Sequence, residues 1–361
     1  MKMLQRSVET CSGTPALAAL RDAWNLLVVD EPEGLLGLDG TCSHEWFMAT
    51  VDSLARDAEV HVVVCREGEH IVGLLPVAFD RTGKPPRRLR MVVEYYSGRT
   101  GFLLQRPDPA ILLSLLRGLD DIAPDWRSLA ATLVTGSPSE TVLGEAARTA
   151  RLGLIWGAPL ESPFFPLQAS EALFRADLSK NLKQNLAKAR NRAKAGVVTE
   201  CRTYEVVASV DELIDFVLEI DRQSWKHAAG TSISANPEQE RFYRAAFPML
   251  ARAGLLFAEV MMAGGRPAAY NFGLRKDAVY SCLKHSQAEP FAELSPGLLL
   301  NSHLVDTLRS RGVVSYDFMG KAEEHKLRWS NGSRLYARRP LQVFNSSWLG
   351  RAEYCLRVAR G

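Results

Sequence analysis

A hairpin-like pattern occurs twice in this chain of 361 residues and constrains its fold more than any other feature. Residues 59–79 (EVHVVVCREGEHIVGLLPVAF) alternate around a charged turn that contains glycine, and residues 255–275 (LLFAEVMMAGGRPAAYNFGLR) repeat the arrangement. Alternation on both sides of such a turn predicts a β-hairpin. Because self-similarity along a chain indicates repeated structural units, the pattern predicts an internal duplication.

The segments that follow the two hairpins also correspond. After the first hairpin come strand-like residues 88–96, a helix opened by Pro109, and strand-like residues 128–134. After the second come strand-like residues 278–286, a helix opened by Pro296, and strand-like residues 313–319. Two copies of one hairpin–strand–helix–strand unit would divide the chain near residue 165. The alternative is chance, since α/β proteins often repeat such patterns.

The composition is that of an ordinary globular protein and excludes several classes. Hydrophobic residues make up 47% of the chain and charged residues 24%, and a net charge of +3 does not by itself argue for DNA binding. No window approaches the ~20 apolar residues of a membrane span, and the N-terminus lacks an apolar run of signal-peptide length. The six cysteines are scattered, without zinc-site spacing. We therefore expect a cytoplasmic protein with reduced thiols, no metal and no membrane span.

A strongly basic amphipathic helix is predicted between the two copies, in residues 170–196. Its apolar residues recur every three or four positions and form one stripe, which consists of Leu178, Leu182, Leu186, Ala189 and Ala193. The other faces carry Lys180, Lys183, Lys188, Arg190, Arg192 and Lys194. Two interpretations of residues 180–194 stay open: a docking surface for phosphate groups, an acyl carrier protein or tRNA, or an ordinary solvated helix face.

The helix opened by Pro296 begins unusually, with serine, proline and glycine in SPGLLL (295–300). Ser295 is a good N-cap, because its hydroxyl can accept a hydrogen bond from a free backbone N–H, and Pro296 has no N–H to lose. Gly297 costs roughly 1 kcal/mol of helix propensity relative to alanine. Close approach of a ligand to the backbone at the positive end of the helix would explain this glycine, as would packing against a neighbouring strand.

The second half of the chain resembles a known family in five segments whose order and spacing agree. They are SWKHAAGTSI (224–233), RFYRAAFPMLARAGLL (241–256), GGRPAAYNFGLR (264–275), FAELSPGLLL (291–300) and YDFMGKAEEHKLRW (316–329). Together they resemble the GNAT acyltransferase superfamily, specifically its CelD-like branch, which is related to the Fem peptidyltransferases. The likeness is clearest from about residue 160 to 335 and fainter before it, where the family has a degenerate first GNAT unit.

This resemblance implies an α/β fold with mixed sheets, built from two tandem GNAT-like units of which the first is degenerate. The predicted domains are a degenerate GNAT-like unit (1–165), a basic helical connection (166–198), a GNAT-like acyltransferase unit (199–340) and a C-terminal tail (341–361).

The resemblance also implies an N-acyltransferase that moves an acyl group from acyl-CoA (acetyl-CoA or longer) to an amine of a small molecule, glycan or peptide. GNAT enzymes form no acyl-enzyme, which agrees with the scattered cysteines. Their CoA pyrophosphate rests on backbone N–H groups at the start of a helix, which in this chain implies a donor site at Ser295, Pro296, Gly297 and Leu298. A splayed N–H within residues 278–286 would polarise the thioester. The alternatives are a Fem-like transferase that uses aminoacyl-tRNA and a non-catalytic GNAT-fold binding protein.

Acyl transfer to an amine needs a base, for which there are several candidates. Asp317 matches the aspartate of the family's YDF-type motif and interrupts an apolar strand, where a carboxylate is costly unless it is paired or lies at a cleft. Its alternative role is structural, as an acceptor for backbone donors of the following loop. His285, before the donor helix, is the second catalytic candidate. His325 stands where the family more often has tyrosine. The alternative for both histidines is that each is an ordinary surface or hydrogen-bonded residue.

Lys326 is the third catalytic candidate: it matches a family lysine that would neutralise phosphate or an anionic acceptor, and its alternative is a solvated loop charge. The remaining candidates concern binding, and among them Trp329 closes the same HKLRW motif. Trp225 and Lys226 precede a polar, glycine-containing segment that suits a loop over a substrate cleft, although a helix-end tryptophan can also plug the core. Tyr96 lies at a comparable place in the first half and is a candidate for the acceptor side or an ordinary strand aromatic.

Overall fold

The computed structural model describes residues 6–28, 38–54, 60–79, 88–92, 100–167, 171–196, 199–329 and 334–359. These form two units, Met1–Leu160 together with Ala337–Gly361, and Glu161–Tyr336. The chain thus leaves the first unit and returns to it near its C-terminal end. Each unit combines a sheet with helices, so the protein is α/β, as the sequence predicts.

Helices and strands are interspersed along the described part of the chain. The first unit begins with β1 (Arg6–Ser12), α1 (Thr14–Ala18), α2 (Arg21–Leu27), α3 (His44–Ser53), β2 (Val60–Glu67), β3 (His70–Phe79), β4 (Arg88–Met91), β5 (Leu103–Leu104), α4 (Pro109–Ile122), β6 (Ser128–Val134), α5 (Pro138–Ala150) and β7 (Gly153–Trp156). Next come β8 (Leu160–Pro166), α6 (Glu171–Asp177), α7 (Lys180–Gly196), β9 (Thr199–Tyr204), α8 (Val210–Arg222), α9 (Trp225–Ala228), α10 (Pro237–Arg252), β10 (Leu256–Ala263), β11 (Arg266–Lys276), β12 (Val279–Gln287), α11 (Pro296–Ser310), β13 (Ser315–Asp317) and α12 (Glu324–Leu327). The chain ends with β14 (Leu335–Phe344) and α13 (Trp348–Val358).

The sheet of the first unit has the strand order β1-β2-β3-β4-β6-β14. The first predicted hairpin is confirmed as the antiparallel pair β2/β3. The helix opened by Pro109 is also confirmed: it is α4, capped by the Asp108 carboxylate, which accepts from the Ala110 N–H at 2.8 Å. The strands β4 and β6, which flank α4, pair in parallel. A crossover helix between parallel strands is the expected connection.

The sheet of the second unit has the order β8-β13-β12-β11-β10-β9. The second predicted hairpin is the antiparallel pair β10/β11. The helix opened by Pro296 is α11, and the strands before and after it, β12 and β13, pair in parallel. Both units therefore contain a hairpin and a proline-led helix between two parallel strands, which is the repeat that the sequence predicts.

Helices cover both faces of the second sheet. In β11, Tyr270 donates to Asp221 of α8 at 2.8 Å, and Phe272 packs edge-on against Tyr243 of α10. Asn271, between them, donates to Asn301 of α11 at 3.0 Å. Because successive residues of a strand point to opposite faces, α8 and α10 lie on one face and α11 on the other.

The structure differs from the predicted domain limits in two places. The basic helix α7 is part of the second unit, because its apolar stripe, including Leu182 and Leu186, is buried in one cluster with Leu304 and Leu308 of α11. The C-terminal residues are part of the first unit, because residues 341–344 of β14 pair with β6 and β7, and the ring of Tyr354 lies against Gly153 of β7. Packing against neighbouring elements therefore joins both segments to a unit, although the sequence predicts a connection and a tail.

Candidate active site

The second unit contains a cavity of about 700 Å³ at the place where β12 and β13 diverge. The parallel pairing of these strands covers only Val279–Ser281, opposite Ser315–Asp317. Beyond this pairing β12 continues to Gln287 and lines the cavity with residues 282–287. The divergence therefore opens a space beside a central strand.

A β-bulge in β12 lies at the cavity wall. Gly273 of β11 is opposite Cys282, and Phe272 is opposite Lys284, so Leu283 has no partner in β11. A bulge leaves the extra residue outside the ladder of backbone hydrogen bonds and bends the strand. Leu283 lines the cavity, so the backbone of β12 departs from regular pairing at the point where a ligand would meet it.

Most of the predicted site residues surround this cavity. The lining residues include Trp225, Lys226, His285, Gly297, Leu298, His325, Lys326 and Trp329. Ser295, Pro296 and Asp317 do not line it, and Tyr96 lies outside the described residues. The cavity also brings in residues for which the sequence predicts no role, namely Asn271, Cys282, Lys284, Gln287 and Asn301.

Two neutral histidine rings meet in the cavity. The rings of His285 and His325 are edge-on, with centroids 5.6 Å apart. Burial lowers the pKa of His285 well below its usual 6.5, and the nearby Lys226 and Lys326 lower it further. Burial also lowers the pKa of His325. Both imidazoles are therefore neutral at pH 7, and a neutral imidazole can accept a proton.

A buried amide network lies behind these rings. Asn271 accepts from Tyr280 Oη at 2.9 Å and donates to Asn301 at 3.0 Å and to Tyr316 Oη at 2.9 Å. The Cys282 thiol lies 3.5 Å from Asn271 Oδ1, and burial raises the pKa of this thiol to about 11. The sequence signal for this network is an asparagine within an otherwise apolar strand, since a buried amide needs partners.

Two lysines reach the cavity from the side of α8 and α9. Lys226 Nζ donates to the His285 carbonyl at 2.5 Å, and Lys284 Nζ donates to the Thr231 carbonyl at 3.4 Å. Burial lowers the pKa of Lys226, and it lowers that of Lys284 to about 8. A lysine with a pKa of about 8 is still mainly an ammonium ion at pH 7.

A third lysine, Lys326, is held in a fixed position. Its Nζ lies 2.9 Å from Glu323 and donates to the Lys321 carbonyl at 3.1 Å, and only 8% of the residue is exposed. A Cβ built on Gly320 would lie 2.5 Å from this Nζ, so the glycine leaves room for the ammonium group. The ammonium group of Lys326 therefore has a fixed position at the cavity wall, and the carboxylate of Glu323 already balances its charge.

The start of α11 differs from its prediction. Ser295 does not cap the helix: its backbone is left-handed (φ 53°), and its hydroxyl accepts from Arg192 at 2.9 Å. The N–H of Ser295 donates to Ala292 O at 2.9 Å and that of Leu298 to Ser295 O at 3.1 Å. The Gly297 N–H donates to the side-chain oxygen of Gln287 at 3.2 Å. The predicted unpaired donors at Ser295–Leu298 are therefore engaged, and Gln287 occupies the position that an anion would take at Gly297.

Asp317 does not line the cavity, which argues against its predicted role as the base. It is completely buried and accepts from the Met319 N–H at 2.8 Å and from Tyr336 Oη at 2.9 Å. Met319 has a left-handed backbone (φ 58°), which is costly for a residue with a side chain. The bond from Met319 to Asp317 stabilises this turn and favours the structural role, which is the alternative for Asp317.

The two predicted tryptophans differ in burial. Trp329 is only 6% exposed, and its ring stacks on Phe165 with centroids 6.1 Å apart. Trp225 is 61% exposed, although it lines the cavity. The interpretation of Trp225 as a plug of the core is therefore wrong, whereas Trp329 joins the cavity wall to the core.

Neither a metal centre nor a membrane span occurs in the described part of the chain. Among these residues, no group of histidine, cysteine, aspartate and glutamate side chains has an arrangement that could hold a metal ion. No helix in the same ranges is long and apolar enough to cross a membrane.

Comparisons with known proteins agree with this geometry. Residues 180–327 match the family model of an acetyltransferase (GNAT) domain. FemX has a similar structure, with a TM-score of 0.63, 10% identity, and coverage of 96% of this chain and 99% of that chain. A tandem GNAT protein from the clavulanic acid biosynthesis pathway gives a TM-score of 0.53 at 15% identity, over 93% of this chain and 98% of that chain. A comparison with curated proteins found no match.

At these identities the structural likeness shows the fold alone. A conserved protein of unknown function from Bacteroides thetaiotaomicron has the same fold, with a TM-score of 0.59 and 12% identity over 94% of this chain and all (100%) of that chain. The chain therefore has the tandem GNAT fold, and the segment of its second unit that matches the GNAT family model is residues 180–327.

Proposed function

We propose that this protein is a GNAT-type N-acyltransferase that moves an acyl group from acyl-CoA to an amine by direct attack, and that it belongs to the CelD-like branch. The observation that carries the proposal is the cavity between the diverging strands β12 and β13, with the bulge at Leu283 in its wall. A backbone N–H outside the ladder can donate to the oxygen on which negative charge develops when the amine attacks a thioester. We assign this role to the N–H of Leu283, because this residue has no partner in β11 and lines the cavity.

The proton of the attacking amine would pass to His285. This neutral ring lies in the cavity beside His325, and both can accept a proton at pH 7. Lys326, fixed by Glu323, would place its ammonium group where negative charge collects. The base, the polarising N–H and the cation are thereby brought to one cavity.

Direct attack is supported by the state of the cysteine that lines the cavity. Cys282 is 3% exposed, and the pKa of its thiol is raised to about 11, so the thiol stays protonated at pH 7. The thiolate is the nucleophilic form of cysteine. Cys282 is therefore a poor acyl acceptor, which supports direct attack of the amine on the thioester.

The function is tested by two measurements with the purified full chain. The melting temperature is expected to rise with CoA, because a ligand that binds only the folded state stabilises it. Free thiol should then be released from acetyl-CoA or longer acyl-CoAs in the presence of an amine from a panel of small molecules, amino sugars and peptides. CoA binding without thiol release from any acyl-CoA would instead favour the non-catalytic GNAT-fold protein.

The donor end of the cavity gives a separate prediction. Gln287→Ala removes the side chain that accepts from Gly297, so this N–H becomes available to a phosphate oxygen. We expect the Kd for CoA to fall about fivefold, which corresponds to roughly 1 kcal/mol for one hydrogen bond. Gly297→Val should raise the Kd, since its side chain would occupy the same approach. Isothermal titration of CoA measures both changes, and unaltered Kd values in folded variants would place the pyrophosphate elsewhere.

A Fem-like aminoacyl-tRNA donor is the second candidate, and helix α7 is the observation that favours it. The helix contains six basic and no acidic residues within 180–196. Arg190 and Arg192 donate to Ser302 and Ser295, whereas Lys180, Lys188 and Lys194 are exposed. Exposed cations on one helix suit a polyanion, and their contribution depends on salt.

The two donors can be separated by changing those three exposed lysines together to glutamine. If α7 binds tRNA or an acyl carrier protein, the variant should bind that macromolecule more weakly, with a smaller salt dependence, while its Kd for acetyl-CoA stays the same. Filter binding at several salt concentrations measures this. Equal binding by variant and wild type at every salt concentration would leave α7 a solvated face.

A further inference from the structure

The bulge in β12 divides the cavity between the two faces of the sheet. His285 is opposite Asn271, on the face covered by α11, whereas Lys284 is opposite Phe272, on the face covered by α8 and α10. Lys226 belongs to α9, which follows α8 directly. The side chains of Lys226 and Lys284 therefore enter the cavity on the side away from Gly297 and the start of α11.

These two ammonium groups have no ionic partner in the part of the chain that the structure describes. Each donates only to a backbone carbonyl, His285 O or Thr231 O. The buried carboxylate of Asp221 attracts both ammonium groups, and it accepts from Tyr270 Oη at 2.8 Å and from the Ile233 N–H at 2.7 Å. Its single negative charge can balance only one of the two lysines.

Two partly buried positive charges that share one carboxylate leave an excess of positive charge, which is unfavourable because buried cations are normally paired. Both lysines line the cavity, so a ligand that enters it can contact their ammonium groups. An anionic group that entered beside them would gain charge-assisted hydrogen bonds to both lysines. The same group would also remove the unfavourable interaction between their like charges.

We propose that Lys226 and Lys284 bind an oxyanion, a carboxylate or a phosphate, of the amine acceptor. The inference rests on the proposed acyl transfer and names the acceptor class: an amine that carries a negative charge close to the amino group. The proposed acyl-CoA site at the start of α11, where Gln287 would have to release the Gly297 N–H, lies on the opposite face of the sheet. The acceptor and the donor thus approach β12 from different faces.

The subsite is tested by direct binding with inorganic phosphate and, in a separate titration, acetate as probes. One of them is expected to raise the melting temperature of the wild-type protein, and the effective probe tells a phosphate from a carboxylate acceptor. Lys284→Met should weaken that probe by on the order of tenfold or more, and Lys284→Arg should retain its binding. The matched control is Lys276→Met, because Lys276 lies outside the cavity and pairs with Asp277 at 2.9 Å.

The source of the anion is resolved by repeating the titration with saturating CoA. An additional stabilisation by the probe on top of CoA supports an acceptor subsite, whereas loss of the probe's effect would assign the lysines to the CoA phosphates and overturn the proposal. No stabilisation by either probe in the wild type, or equal binding by Lys284→Met, would also overturn it. If the probe binds but CoA does not, the subsite stands and the acyl-CoA donor falls.

Discussion

Replacing His285 and His325 together by glutamine is expected to lower kcat by about 10²–10⁴-fold, with little change in the Kd for acyl-CoA. Glutamine keeps a polar side chain but cannot accept a proton from the amine. The two rings are neutral at pH 7, line the cavity and lie edge-on to each other. Single-turnover acyl transfer at saturating acyl-CoA measures the chemical step, and titration calorimetry measures the Kd.

The single variants rank the two rings. His285→Gln should cost at least about tenfold in kcat, and His325→Gln should cost less, because His325 is the more exposed ring. The control is His227→Gln, since His227 is exposed, contacts Ser234 at 2.9 Å and does not line the cavity. If the double variant keeps its kcat, neither imidazole is the base.

The lowered pKa values also predict the direction of the pH dependence. A histidine whose pKa lies below 6.5 stays neutral as the pH falls through 6.5 and becomes protonated only at lower pH. The wild-type rate should therefore hold through pH 6.5 on acidification, provided that the amine of the acceptor is itself deprotonated. A loss of rate centred at pH 6.5 would indicate a base with an ordinary pKa.

Much of the fold follows from local pattern. Alternation around Gly68 and around Gly264–Gly265 predicts both hairpins, and Pro109 and Pro296 mark the starts of α4 and α11. These features depend on neighbouring residues alone. The limits of the units do not, because they depend on which element of the fold each segment packs against: Tyr354 packs against Gly153 of β7, and the apolar stripe of α7 packs against α11.

The site is predictable only in part for the same reason. The family resemblance brings His285, His325 and Lys326 to one place, and they do line one cavity. Lys284 and Gln287 escape sequence-based prediction because a bulge decides their direction, and strand periodicity assumes that no residue is inserted. A regular alternation counted along β12 would put the side chains of Cys282 and Lys284 on the same face, whereas the insertion of Leu283 places them on opposite faces.

The start of α11 shows that a side chain from another element can accept from backbone N–H groups that a local motif predicts to be free. Serine, proline and glycine at a helix start predict free donors, and the Gly297 N–H is the one that an anion would use. Gln287, ten residues earlier on β12, accepts from it instead. No local pattern in SPGLLL contains this contact, because it depends on the pairing of β12 with β11.

Asp317→Ala is expected to lower the free energy of unfolding by about 2–5 kcal/mol, because the Met319 N–H and the Tyr336 hydroxyl both lose this buried carboxylate as an acceptor. Chemical denaturation at pH 7 measures the loss. Tyr336→Phe is the matched control: it removes the Tyr336 contacts but keeps the ring and the bond from Met319, so it should cost less.

The same variants decide whether Asp317 takes part in the chemistry. Under conditions in which the variants remain folded, an anchor lowers stability but leaves the rate per folded molecule essentially unchanged, whereas a base lowers kcat without requiring a loss of stability. Asp317→Asn sharpens the comparison, because its side chain keeps the shape and one acceptor oxygen but cannot act as a base. A tenfold or larger fall in kcat for Asp317→Asn at unchanged stability would restore Asp317 as the base. With Asp317 completely buried and bonded to Met319 and Tyr336, we expect the stability to fall and the rate to remain.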